Sequence, residues 1–142
     1  MSSWENEGIW SDRLRADRAI LEAQLSQAQD AAIRRILDRV AASGQLDFLV
    51  VYGSVSRGEQ RPDSDLDVYY ETYDEAVELE AADPESRWHV FGAVSGSLLG
   101  SLRGGDAMAF AIVSDALVVY DEGGFRSLVI AADQEHLEPT AA

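Results

Sequence analysis

Two carboxylates separated by one residue, Asp65 and Asp67, follow a Gly-Ser pair at Gly53-Ser54 after ten intervening residues. Leu66 and Val68 alternate with the acids, so a strand here places both carboxylates on one side and the apolar residues on the other. Adjacent carboxylates repel, and the arrangement becomes favourable when a cation sits between them. Hard oxygen ligands favour Mg2+ or Mn2+, especially where substrate phosphates complete the coordination shell. A glycine at the end of the preceding strand permits close backbone approach. A helical turn beginning at Ser54 would aim free N–H groups at a phosphate, with the Ser54 hydroxyl and the Arg57 guanidinium reaching the same anion. The chemistry indicated is phosphoryl transfer, with two metals about 3.5–4 Å apart activating the attacking oxygen and stabilising the leaving one.

The elements that must hold these residues are legible around them. Asp47 to Tyr52 has the composition of a buried strand ending on Gly53-Ser54, and Asp65 to Glu71 is a second strand. Before them, residues 11–43 read as helix, capped by Ser11 and stopped by Gly44. Leu14, Leu21, Leu25 and Ala28 lie on one stripe, and Ile33, Ile36, Leu37 and Val40 on another. The two stripes are out of phase, which predicts a break between Leu25 and Asp30.

After the acidic pair, residues 72–87 read as an acidic loop with a short helix over Asp74 to Ala81. Trp88, Phe91, Val94, Leu98 and Leu102 recur at helical spacing, with Gly92, Gly96 and Gly100 four apart as a close-packing row, and Gly104-Gly105 ending the helix. Asp106 to Val113 and Ala116 to Tyr120 read as strands joined by a hairpin at Ser114-Asp115, and a last helix runs from Phe125 to Glu135. The expected order is α, β, β, α, β, β, α: one α/β domain over residues 1–142, a small mixed sheet flanked by helices.

Val50 to Gly58 and Asp63 to Val68 resemble the Gly-Ser-x10-Asp-x-Asp signature of minimal nucleotidyltransferases in the DNA polymerase beta superfamily, and the Arg57-Gly58 and Ser64-Asp65 neighbours match common family forms. The resemblance is sharpest over residues 48–70. It implies a polymerase-beta-like fold and metal-dependent transfer of a nucleoside monophosphate, AMP from ATP being the expected case, to an acceptor hydroxyl. It also implies a third catalytic carboxylate opening a later strand. Asp106 is the choice, completing a metal set with Asp65 and Asp67, and Asp115 is the alternate. Gly53, Ser54 and Arg57 would hold the triphosphate. Small proteins of this kind are often paired with an all-helical HEPN toxin, which they adenylylate or simply bind as antitoxins. The alternative to an enzyme is therefore a neutralising subunit that keeps the fold without turnover. With little room for an acceptor-binding domain, the acceptor is expected to be a macromolecule or the chain to form an oligomer.

Composition narrows the classes further. The 142 residues fit one core, and the absence of cysteine excludes disulfides, a thiol nucleophile and cysteine-ligated metals. No stretch approaches a membrane span, and a cytoplasmic protein is expected. The 26 acids oppose 11 basic residues, all arginine, for a net charge of −15. Two explanations stand: a halophilic source, where salt screens self-repulsion, and an acidic surface for a basic protein partner. Either counts against non-specific nucleic-acid binding. Six arginines and seven acids lie in residues 1–43, the least acidic part. His89, beside Trp88, and His136 read as packing residues. Trp4 and Trp10 read equally as a docking face or as satellite packing of the N-terminal arm.

Overall fold

A computed structural model describes residues 2–42, 45–59, 65–73 and 88–140. A single 3-10 turn at Ser3–Glu5 leads into α1 (Glu7–Gln24) and α2 (Gln27–Ala41). Then follow β1 (Leu46–Tyr52), β2 (Leu66–Thr72), β3 (Trp88–Val94), α3 (Ser97–Arg103), α4 (Ala107–Asp115), β4 (Leu117–Asp121) and α5 (Gly124–Gln134). The strands form one mixed sheet in the order β3-β2-β1-β4. β1 is antiparallel to both β2 and β4, whereas β2 and β3 are parallel.

The sheet separates two apolar layers. Phe48, Val50, Tyr52, Tyr69 and Val118 face α3, α4, α5 and Trp10 of α1. Leu49, Val51, Leu66, Val68 and Tyr70 face Ile33 and Val40 of α2 and Leu21 of α1. The strand β1 is buried along its whole length, which is why its sequence reads as a nearly unbroken apolar run.

The N-terminal helix begins earlier than Ser11. Asn6 accepts hydrogen bonds from the Gly8 and Ile9 N–H groups and is the cap. The expected break falls at Leu25-Ser26, where Ser26 and Gln29 form a reciprocal capping box that restarts the chain as α2. The proposed stop at Gly44 and the short helix over Asp74 to Ala81 lie outside the described residues.

Two segments differ from the sequence expectation. Residues 88–94 are a strand: β3 gains its hydrogen bonds from parallel pairing with β2, and the helical spacing of Trp88, Phe91 and Val94 is coincidental. Helix begins only at Ser97, so the glycine row does not share a helix face. Gly92 instead lies opposite Tyr70, where a Cβ would come within 2.3 Å of the phenol ring. Residues 107–115 are helix rather than strand, with Asp106 as N-cap accepting from the Met108 N–H at 3.1 Å. Alternating alanines give this short apolar run strong helix propensity, and periodicity alone cannot separate the two forms. Ser114-Asp115 accordingly ends a helix and joins no hairpin.

β4 is an edge strand, and α1 closes that edge. Asp17 accepts from the Val118 N–H at 2.9 Å, and Arg13 donates to the Ala116 carbonyl at 3.1 Å. Arg13 also lies 5.1–5.3 Å from the Trp4, Trp10 and Phe125 rings. Trp10 is thus core, with Trp4 packed edge-on against it at 5.7 Å, so packing accounts for both.

Replacing Asp17 with alanine leaves the Val118 N–H unpaired in a buried position, and chemical denaturation should show a loss of about 1–3 kcal/mol. Burial, the largest influence, raises the Asp17 pKa above 3.8 despite the opposing Val118 and Arg13 contacts. A raised carboxyl pKa contributes stability below pH 3.8 that is lost as pH rises through the folded value. Asp17→Asn, which keeps an acceptor, should therefore compare more favourably with the parent at pH 7 than at pH 3.

Candidate active site

The central acid is Asp67. On β2 it sits opposite Tyr52 of β1 on one side and His89 of β3 on the other. Its side chain is 23 % exposed, whereas Asp65, immediately before the strand, is 47 % exposed. The two acids share a side, since His89 reaches both: Nδ1 lies 3.1 Å from an Asp67 oxygen and Nε2 lies 4.0 Å from an Asp65 oxygen.

The Gly-Ser turn closes on the same carboxylate. Gly53 has φ +81, and a Cβ there would stand 2.4 Å from Asp67 Oδ2. Glycine is required twice over, by the left-handed backbone and by the carboxylate against it. The following chain is a run of turns and no helix: the Arg57 N–H donates to Gly53 O at 3.2 Å, Gly58 to Val55 O at 3.3 Å and Glu59 to Ser54 O at 3.0 Å. Val55, wholly buried against the α2 layer, pins this run to the core. Ser54 is half-buried in the turn.

Arg57 is exposed and meets Glu59 at 3.2 Å and Asp115 at 2.7 Å. Those partners, Glu59 foremost, raise its pKa further. Asp115 is therefore the ion-pair partner of Arg57 at the end of α4. Asp106 caps α4 and lines a cavity with Tyr52, Tyr69 and Phe91. Among the described residues no three His, Asp or Glu side chains are set out to hold a metal ion, so the expected three-carboxylate set of Asp65, Asp67 and Asp106 is not assembled. Asp65 and Asp67 could together ligate a divalent cation such as Mg2+, which commonly takes only one or two carboxylates and completes its shell with water and substrate phosphates.

His89 is the residue that sequence reasoning missed. Treated as part of a helix it is a packing residue. On the strand parallel to β2 it is the cross-strand neighbour of Asp67. The sequence carries no clean strand signal here, because residues 88–94 are apolar or glycine at every position but His89. Tyr52 adds a phenol on the other side, its pKa pushed up to about 12 by burial and then by the Asp67 charge.

Residues 33–93 match the family model of the nucleotidyltransferase domain. The nucleotidyltransferase match takes in α2 from Ile33, β1, the Gly-Ser turn, Asp65, Asp67 and nearly all of β3. None of the curated proteins matches the chain. Among solved structures, a crystal structure of a toxin–antitoxin with AMP-PNP is similar at 11% identity and a TM-score of 0.42, over 83% of this chain and 82% of that one.

Gly53→Ala tests the turn directly. The methyl group must displace the Asp67 carboxylate or the turn, so nucleotide binding should fall by at least about tenfold, a loss of about 1.4 kcal/mol. Circular dichroism should show the fold retained, and titration with a nucleotide analogue measures the binding.

Proposed function

We propose that this protein is a nucleotidyltransferase that moves a nucleoside monophosphate, AMP from ATP in the expected case, onto an acceptor hydroxyl. The observation that carries the proposal is the contact between the Gly53 turn and the Asp67 carboxylate, with Asp65 and His89 alongside. The match of residues 33–93 to the nucleotidyltransferase domain supports it. In the reaction, the acceptor oxygen bonds to the alpha phosphorus as the bond to the beta-phosphate oxygen breaks, the acceptor proton is released and pyrophosphate leaves.

Asp65 and Asp67 would hold Mg2+ or Mn2+. The ion, when bound, neutralises charge on the phosphates and so lowers the cost of the displacement. The chain's own groups position the rest. The Gly53-Ser54 turn lets a phosphate approach the backbone with no side chain in the way, and the Ser54 hydroxyl can donate to it. Arg57, itself exposed, can exchange its exposed Glu59 partner for a phosphate, an exchange that costs little because an exposed pair is weak.

One observation favours a second reading. The pair has a histidine beside it and, among the described residues, no third carboxylate grouped with it to hold a metal ion, which suits a subunit that binds a partner without turnover. For such a subunit, as for the enzyme, a HEPN-type toxin is the proposed partner.

Incubation with alpha-labelled ATP and Mg2+ in high KCl, together with a genomically neighbouring protein, separates the two. The wild type should transfer label and the Asp65→Ala/Asp67→Ala variant should transfer none. A folded wild type that transfers no label yet binds the neighbouring protein, with the variant binding it equally well, establishes the non-catalytic reading.

A further inference from the structure

A cavity of about 310 Å3 opens on the sheet face that carries Asp67, at the lower end of the range of small-molecule sites. Its sheet wall continues the site along the strands. Tyr52 is the cross-strand partner of Asp67, Tyr69 follows Asp67 by two residues on the same face, and Phe91 follows His89 in the same way. Two residues along a strand advance about 6.6 Å, which is one sugar unit away from a phosphate held at Asp67.

The lining is mostly apolar, with Ser97, Ser101 and Asp106 among its polar members, and it contains no cation to balance a phosphate. It offers much to a flat ring. The rim residues Phe91 and Met108 are 53 % and 56 % exposed, an unusual state for large apolar side chains at the mouth of a cavity. The Tyr69 ring is fixed, because its hydroxyl donates to the buried Glu71 carboxylate at 2.6 Å. One charged group reaches the cavity: Asp106, an exposed carboxylate whose Oδ1 accepts from the Met108 N–H. Its other oxygen can accept a further hydrogen bond.

We propose that this cavity is the nucleobase subsite, in which Phe91 and Met108 cover the base and Asp106 accepts a hydrogen bond from an exocyclic amino group. This rests on the nucleotidyltransferase reading and assigns Asp106 to base selection in place of metal binding. A carboxylate accepts and cannot donate, so an amino-bearing purine is favoured over hypoxanthine, whose corresponding position is a carbonyl oxygen.

The test compares dissociation constants for ATP, ITP and inorganic triphosphate, each with Mg2+, by calorimetry. The wild type should bind ATP more tightly than ITP and than triphosphate. Phe91→Ala/Met108→Ala, both surface changes, should weaken ATP by about tenfold or more, the effect of losing base stacking, while leaving triphosphate unchanged. Asp106→Asn, which retains an acceptor for the helix cap, should erase the preference for ATP over ITP. If the wild type binds triphosphate as tightly as ATP, or the double variant binds ATP unchanged, the subsite is overturned while the nucleotidyltransferase reading stands. If the wild type binds neither ATP nor triphosphate, both fall.

Discussion

The space between Gly53 and Asp67 leaves no room for a side chain, and much of the structure follows from that contact. It requires β1 and β2 to pair antiparallel in the register that sets Tyr52 opposite Asp67. It requires the chain to leave β1 through a left-handed glycine and to be drawn back by Val55 into the α2 layer. With the turn fixed, a backbone surface free of side chains lies directly beside a half-buried carboxylate. Parallel pairing of β3 then brings His89 to the far side of the same group.

Beyond Asp67, the same face of β2 passes from chemistry to architecture. Tyr69 walls the neighbouring cavity, and Glu71, fully buried, accepts from the Tyr69 hydroxyl and from the Gly96 and Leu98 N–H groups. Gly96 has no side chain with which to cap α3, so a strand carboxylate does so from below. Asp121 does the same for α5, accepting from the Gly123, Phe125 and Arg126 N–H groups, and Asp106 does so for α4. In a chain with 26 acids, part of the negative charge is thus built into helix starts, where the helix dipole favours it.

The part of the fold and site that was legible in the sequence is the part where local pattern and tertiary environment agree. β1 and β2 carry apolar runs and alternation that only a sheet satisfies, and the Leu25-Ser26 break showed in two stripes that could not share one axis. The misread segments were those whose local signals have two solutions. β3 is an edge strand with Phe91 and Val94 exposed, so its apolar residues do not alternate cleanly, and only pairing with β2 decides its form. α4 is a nine-residue apolar run whose length suits either state. Both errors propagated to the site. Putting His89 on a helix hid its approach to Asp67, and putting Asp106 on a strand hid its place as the cap of α4.

The measurement that bears most directly on this account is paramagnetic broadening of backbone NMR signals on adding substoichiometric Mn2+ with ATP. The account predicts that Gly53, Ser54, Asp65, Asp67 and His89 broaden first, that excess Mg2+ reverses the effect, and that Asp67→Asn abolishes it. Broadening centred on the acidic surface of α1 or α2, unchanged in Asp67→Asn, would contradict it.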